Sequence, residues 1–282
     1  MLAYVGFLLL QMLFSMLVPA ITNTLSFIQE RSRELDDKAQ VPRIAYGAPA
    51  DITEHPYFAI LEGCGAAIIS EEWLVTAAHC VLPHGYGHYE QHVTFVGSHT
   101  LENSVPVFIE EIVVHPQYTD LGFAIVNDIA LIRLVKPLKF SDRIQPLELP
   151  DEKYELEDDS KHVFVGVGLD ETGKPSKQLM KIDVNGYSTS TCYARYFGSM
   201  YWSVAPFMSW LDETTICARR VENLVGAGYG DSGSPMVKDN VLVGIASYIM
   251  LDNDCHSCHS RTLYLANVAH YVPWILSHTG KL

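Results

Sequence analysis

From Tyr57 onward the chain is broken into short runs rich in branched and aromatic residues, at 66–69, 73–76, 93–96, 105–114, 128–134, 163–167, 182–184 and 241–247, with turn-forming residues between them. Runs this short leave backbone N–H and C=O groups that only neighbouring strands can satisfy. With few stretches of helical period, the pattern argues for an all-β sandwich or barrel architecture. The 282 residues, 48% hydrophobic, suffice for one large or two small domains with real cores. Pro146-Leu147-Glu148-Leu149-Pro150, followed by the acidic cluster at 151–159, reads as a connection between two halves, the cluster itself being a solvated loop. Residues 272–278 suit a short amphipathic helix that packs Trp274 and Ile275.

The beginning of the chain differs in kind. Residues 1–20 are apolar and carry no charged side chain, which reads as a secretory signal peptide cleaved near Ala20, with a signal anchor as the alternative. Residues 21–43 are polar, mixed in charge and end in Gln40-Val41-Pro42-Arg43, after which apolar character resumes at Ile44. An exposed basic residue before an apolar segment suits limited proteolysis, although an ordinary linker arginine has the same look. Cysteines stand at 64, 80, 192, 217, 255 and 258. An even number in an exported chain implies disulfides, and spacing alone leaves fifteen pairings open. The net charge of −14 disfavours nucleic acid or an anionic membrane as a partner.

Three places carry polar residues where a core would not ask for them. Gly228-Tyr229-Gly230-Asp231-Ser232-Gly233-Ser234-Pro235 sets a hydroxyl among residues that let the backbone turn sharply. A serine hydroxyl is a poor nucleophile at neutral pH and needs a base and an oxyanion site, and the amides of Gly230 and Ser232 can supply the latter. His79 closes the apolar segment Leu74-Val75-Thr76-Ala77-Ala78-His79-Cys80, and Asp128 opens Asp128-Ile129-Ala130-Leu131. A buried carboxylate is costly unless partnered, and a histidine N–H is a suitable partner. Taken singly, these stretches also fit a glycine-rich turn, a packed core histidine and a strand-end carboxylate.

Together, Thr76-Ala77-Ala78-His79-Cys80, Asp128-Ile129-Ala130-Leu131 and Gly230-Asp231-Ser232-Gly233 resemble the chymotrypsin-like, trypsin-type serine proteases in content and order, from about Ile44 to the C-terminus. The resemblance implies two antiparallel six-stranded β-barrels, about 44–150 and 161–271, with the active site between them and a short C-terminal helix. The segments 1–20, 21–43 and 44–282 become signal peptide, activation propeptide and peptidase domain. Ser232 is then the nucleophile, His79 the general base and acid, Asp128 its orienting partner, and Gly230 with Ser232 the oxyanion hole. Ser247 matches the serine that supports the triad aspartate.

Cleavage after Arg43 would free an ammonium on Ile44 to pair with Asp231, with Tyr46 standing where the family usually has glycine. The resemblance pairs Cys64 with Cys80 and Cys192 with Cys217. The family's remaining bridge is altered by Gly228, leaving Cys255-His256-Ser257-Cys258-His259 to form a local Cys255–Cys258 bridge or a Cys/His metal site. In the substrate pocket, Gly226 stands where trypsin-like members carry aspartate, and Ile249 replaces a glycine. The other wall is Leu263 or Thr262, depending on alignment.

These replacements predict small or medium apolar P1 residues. The expectation is a secreted zymogen without cofactor or metal. Its partners would be protein or peptide substrates, an activating trypsin-like protease and protein protease inhibitors, and it would hold no membrane after signal removal. The alternative is a catalytically silent homologue that acts as a binding or regulatory module.

Overall fold

The computed structural model describes residues 47–82, 92–121, 124–168, 176, 178–197, 211, 213–219, 230–251 and 261–282. In chain order the strands are β1 (Ala48–Pro49), β2 (Phe58–Leu61), β3 (Cys64–Ile68), β4 (Trp73–Thr76), β5 (Val93–Val96), β6 (Val105–Val114), β7 (Thr119–Asp120), β8 (Ile125–Val126) and β9 (Ala130–Leu134). The second half supplies β10 (Ser160–Gly166), β11 (Met180–Ser188), helix α1 (Thr189–Phe197), β12 (Thr215–Arg219), β13 (Pro235–Lys238), β14 (Val241–Leu251), β15 (Arg261–Asn267) and helix α2 (Val268–Thr279).

The strands β2-β3-β4-β9-β6-β5 close into one barrel, every pairing antiparallel. The order β11-β10-β13-β14-β15-β12, with β12 returning to β11, closes a second. Each barrel thus has six strands, as the family resemblance implies. The expected run at 73–76 is β4 and that at 93–96 is β5. The first barrel is lined by β2, β3 and β4, in which every residue is buried, so those strands read as continuous apolar runs rather than alternations.

Two departures from the sequence reading matter for the site. The strand expected at 128–134 begins only at Ala130, which leaves Asp128 on a turn. The C-terminal helix starts at Val268, directly after β15, with Pro273 in its interior.

The halves are stitched together. The 146–150 connection touches both barrels: Leu147 N–H donates to Ile68 O at 2.9 Å, and Leu242 N–H donates to Glu148 O at 2.9 Å. The first short strand, β1, pairs not with its neighbours in sequence but with β11 of the second barrel. Glu54 and Lys181 form an ion pair between the same two regions. Helix α2 buries Val268, Tyr271 and Ile275 in the same core cluster as Leu74, Leu131 and Leu242. Among the described residues no helix is long and apolar enough to cross a membrane.

Candidate active site

Strand β4 ends in a single 3-10 turn, Ala78–Cys80, that carries His79 away from the barrel wall. The turn is pinned by a disulfide from Cys80 to Cys64 at the head of β3. A second disulfide, Cys192–Cys217, joins α1 to β12. Cys64, His79 and Cys80 also bring three possible metal-ligating atoms together, but both sulfurs are engaged with each other, and a disulfide is not a thiolate ligand.

Asp128 lies on the turn between β8 and β9 and is 2% exposed. Burying a carboxylate so fully demands hydrogen bonds, and Asp128 has them. His79 N–H donates to its Oδ1 at 2.9 Å, His79 Nδ1 lies 2.7 Å from Oδ2, and the Ser247 hydroxyl donates to Oδ2 at 2.5 Å. A carboxylate accepts only, so the Nδ1 contact places the ring proton on Nδ1.

Burial by itself would depress the His79 pKa. The Asp128 charge and hydrogen bond, helped by the Asp120 charge, outweigh it and leave the pKa raised. Tyr118, half-buried beside the two carboxylates, has its hydroxyl pushed up to about 12 by burial and then by Asp128 and Asp120.

Ser232 is placed between the barrels by its backbone. Gly65 N–H of β3 donates to Ser232 O at 2.8 Å, and the Thr76 hydroxyl, three residues before His79, donates to Gly65 O at 2.8 Å. On the other side Gly233 N–H donates to Ala246 O at 2.8 Å, next to Ser247. The segment therefore bridges β3, which Thr76 ties to the strand that leads to His79, and the strand that carries Ser247. Glycines with positive φ flank the serine, Gly230 at 89° and Gly233 at 75°. A Cβ on Gly233 would press on Gly65 O and Thr76 Oγ1, and one on Gly65 would press on Ser234 Oγ. Both glycines are required for the close approach of the two barrels.

Asp231 is buried in a crevice of the second barrel, where Gly168 N–H donates to its Oδ1 at 2.8 Å. Gly166 and Gly168 pack so closely that a Cβ on either would strike the Asp231 carboxylate. Its expected partner Ile44, together with Arg43, lies outside the described residues, as do Gly226, Cys255 and Cys258.

Ile249 and Leu263 are cross-strand partners on β14 and β15. Leu263 is buried in the second-barrel core with Ile249 packed against it, while Thr262 pairs with Met250. Of the two alignments, this register puts Leu263 on the same face as Ile249.

Sequence reasoning missed several residues that shape the site: Gly65 and Thr76, which seat Ser232, and Gly166 and Gly168, which wall in Asp231. It also missed Tyr193 and Tyr248, whose hydroxyls lie 2.8 Å apart one residue beyond Ser247. Their partners are remote in sequence, and only the glycine beside Cys64 and the threonine before His79 carried any local hint.

The trypsin family model matches residues 44–275. Transmembrane protease serine 11G of Mus musculus is 30% identical over 254 residues, covering 85% of this chain and 56% of that protein. The vitellin-degrading protease of Bombyx mori is 30% identical over 213 residues, covering 73% of this chain and 75% of that protein. This chain spans just over half the length of the transmembrane proteases it matches. The solved structure of neuropsin, a serine protease expressed in the limbic system of mouse brain, superposes with a TM-score of 0.67 at 23% identity, covering 82% of this chain and 98% of that one. That likeness speaks to the fold.

Proposed function

Because this chain belongs to the trypsin family, we propose that it is a serine endopeptidase that works through Ser232, His79 and Asp128. The observation that carries the reading is the 2.7 Å contact between His79 Nδ1 and the buried Asp128 carboxylate, with the Ser232 backbone held to Gly65, next to the Cys64 that is bridged to Cys80. With Nδ1 protonated, His79 Nε2 is the basic nitrogen. It takes the Ser232 proton as Oγ attacks the peptide carbonyl, and the imidazolium so formed is stabilised by Asp128. The negative charge on the substrate oxygen is met by the amides of Gly230 and Ser232, in a turn that two positive-φ glycines make possible. His79 then protonates the leaving amine, and water releases the acyl group from Ser232 by the same route.

Activation follows from the electrostatics of Asp231. Cleavage after Arg43 frees the Ile44 ammonium, which pairs with this buried carboxylate and orders the neighbouring Gly230 amide, so the chain is a zymogen. Residues 1–20 send it into the secretory pathway. The relatives named as transmembrane proteases keep the signal-anchor form of that segment in view. With Leu263 buried beside Ile249 and no acidic residue at 226, the enzyme selects small or medium apolar P1 residues. Substrates are proteins or peptides, and protein protease inhibitors are further partners.

A fluorophosphonate probe tests the whole reading. Labelling that appears after cleavage at Arg43 and vanishes in Ser232→Ala is the expected result. Cleaved, folded protein that takes no label would show a silent homologue instead.

A further inference from the structure

Asp128 belongs to the first barrel, yet groups from the second barrel help to fix it. The Ser247 hydroxyl is one, acting on the carboxylate itself. Another acts one residue upstream, on the backbone. Asn127 has φ of 53°, a left-handed conformation that asparagine tolerates better than most residues. Ile129 N–H donates to Asn127 O at 2.9 Å, closing a tight turn with Asp128 at its centre. The direction in which the carboxylate leaves the chain therefore depends on where Asn127 is held.

Both ends of the Asn127 side chain are engaged. Its Nδ2 donates to Gln117 O at 2.9 Å, within the first barrel. Its Oδ1 accepts from the Tyr271 hydroxyl at 3.1 Å, across from helix α2. Tyr271 also approaches Thr214 O at 3.4 Å. The residue is buried, and its ring is boxed by His115 and His270, with centroids at 5.3 and 4.9 Å. Burial, then the Asp128 charge, pushes the phenol pKa upward, so Tyr271 stays a donor across the working pH range. Neighbours on α2, Val268 and Ile275, are locked into the core shared with the first barrel. The helix is thus a rigid mount for this one hydroxyl.

We propose that Tyr271, acting through Asn127, is a positioning residue for Asp128: its hydroxyl holds the turn in the one shape from which the carboxylate reaches both the backbone N–H and the Nδ1 of His79. The consequence for turnover rests on the protease reading. The consequence for the grip of the carboxylate on the imidazole does not.

Tyr271→Phe removes the hydroxyl and keeps the ring. In the full chain, NMR titration of the His79 imidazole reads the grip of Asp128 directly. The groups that bear on this ring are Asp128 and Asp120, with the disulfide sulfur of Cys80 at 3.9 Å from Nε2. Tyr271→Phe is expected to lower the His79 pKa. After cleavage at Arg43 it should lower kcat about 3- to 10-fold, with KM changed less than about twofold, the scale of one lost hydrogen bond.

Asn127→Gly keeps the left-handed backbone at little cost while removing both side-chain bonds. It should have a similar effect, and the double variant should be no worse than the stronger single one. Ile275→Val thins the packing of the same helix and should lower Tm without moving the His79 titration.

A Tyr271→Phe protein with wild-type His79 titration and kcat, whatever its Tm, overturns the proposal, as do additive effects of the two substitutions. If the cleaved wild-type protein hydrolyses nothing and takes no active-site probe, the protease reading fails. The imidazole titration alone then decides on Tyr271.

Discussion

Replacing Asp128 by asparagine keeps the shape of the side chain and changes two things at once. The amide has one acceptor oxygen and one NH2 where the carboxylate has two acceptors. Its oxygen can still take the His79 N–H that now sits at 2.9 Å, and Ser247 can turn its hydroxyl to accept. The NH2 is then left facing His79 Nδ1, 2.7 Å away, and a donor there forces Nδ1 to become the acceptor.

The ring proton moves to Nε2, the atom that takes the proton of Ser232 in the proposed mechanism, so the prevailing tautomer is the wrong one for it. The negative charge that supports the imidazolium is gone as well. A charge-assisted hydrogen bond contributes about 1.5–3 kcal/mol, or roughly 10- to 150-fold in rate. Adding the tautomer brings the loss to about 10⁴ in kcat, as is typical of serine–histidine–aspartate sites.

Stability should change little, because each buried polar atom keeps a partner. The assay is burst kinetics on cleaved protein with an activated ester, alongside thermal melting. A kcat within about tenfold of wild type in a folded Asp128→Asn protein would refute the tautomer argument. A collapse of Tm would show that the carboxylate serves packing instead.

Gly233→Ala should cost about 1–3 kcal/mol in backbone strain at its φ of 75°, besides the collision with Gly65 O and Thr76 Oγ1. It should also abolish probe labelling, whereas labelling at the wild-type rate would mean that the serine loop is not seated by this contact. Burial holds His55, His115 and His162 below the usual histidine pKa. The unfolded chain therefore binds protons first as pH falls below about 6.5, and these three residues erode stability there, while the raised His79 opposes them. Urea midpoints should drop between pH 7 and 5, and His162→Gln should flatten that drop; an unchanged slope would exclude His162 as a source. Replacing Leu263 and Ile249 together by glycine should broaden P1 acceptance toward large side chains in a peptide-library profile, and an unchanged profile would place the specificity determinant elsewhere.

The strand pattern was readable where a run was short, apolar and bounded by turns, as at β4 and β5. It was not readable at β12, Thr215–Arg219, a mixed run that carries an arginine at its end. The C-terminal helix was expected four residues too late, because Pro273 looks like a first-turn residue. In the structure α2 follows β15 without a spacer, and its first turn is hidden in the core.

At the site, the sequence supplies the three polar residues and their order. It does not supply what seats them. Of these partners the sequence offers Ser247 alone, through the family resemblance; Tyr271 meets Asn127 across 144 positions. No local pattern encodes a meeting at that range, and it exists only once both barrels have closed.

Closure of the barrels has a consequence for the survival of the molecule. Proteases grip their targets as extended segments, much as a sheet accepts an additional strand along an open edge. A six-stranded cylinder whose last strand returns to its first pairs its own strands on both sides, so among the described residues the open edges are those of the short strands β1, β7 and β8. Any protease that attacks the chain is thereby steered to the connections between strands, and the barrel walls are spared.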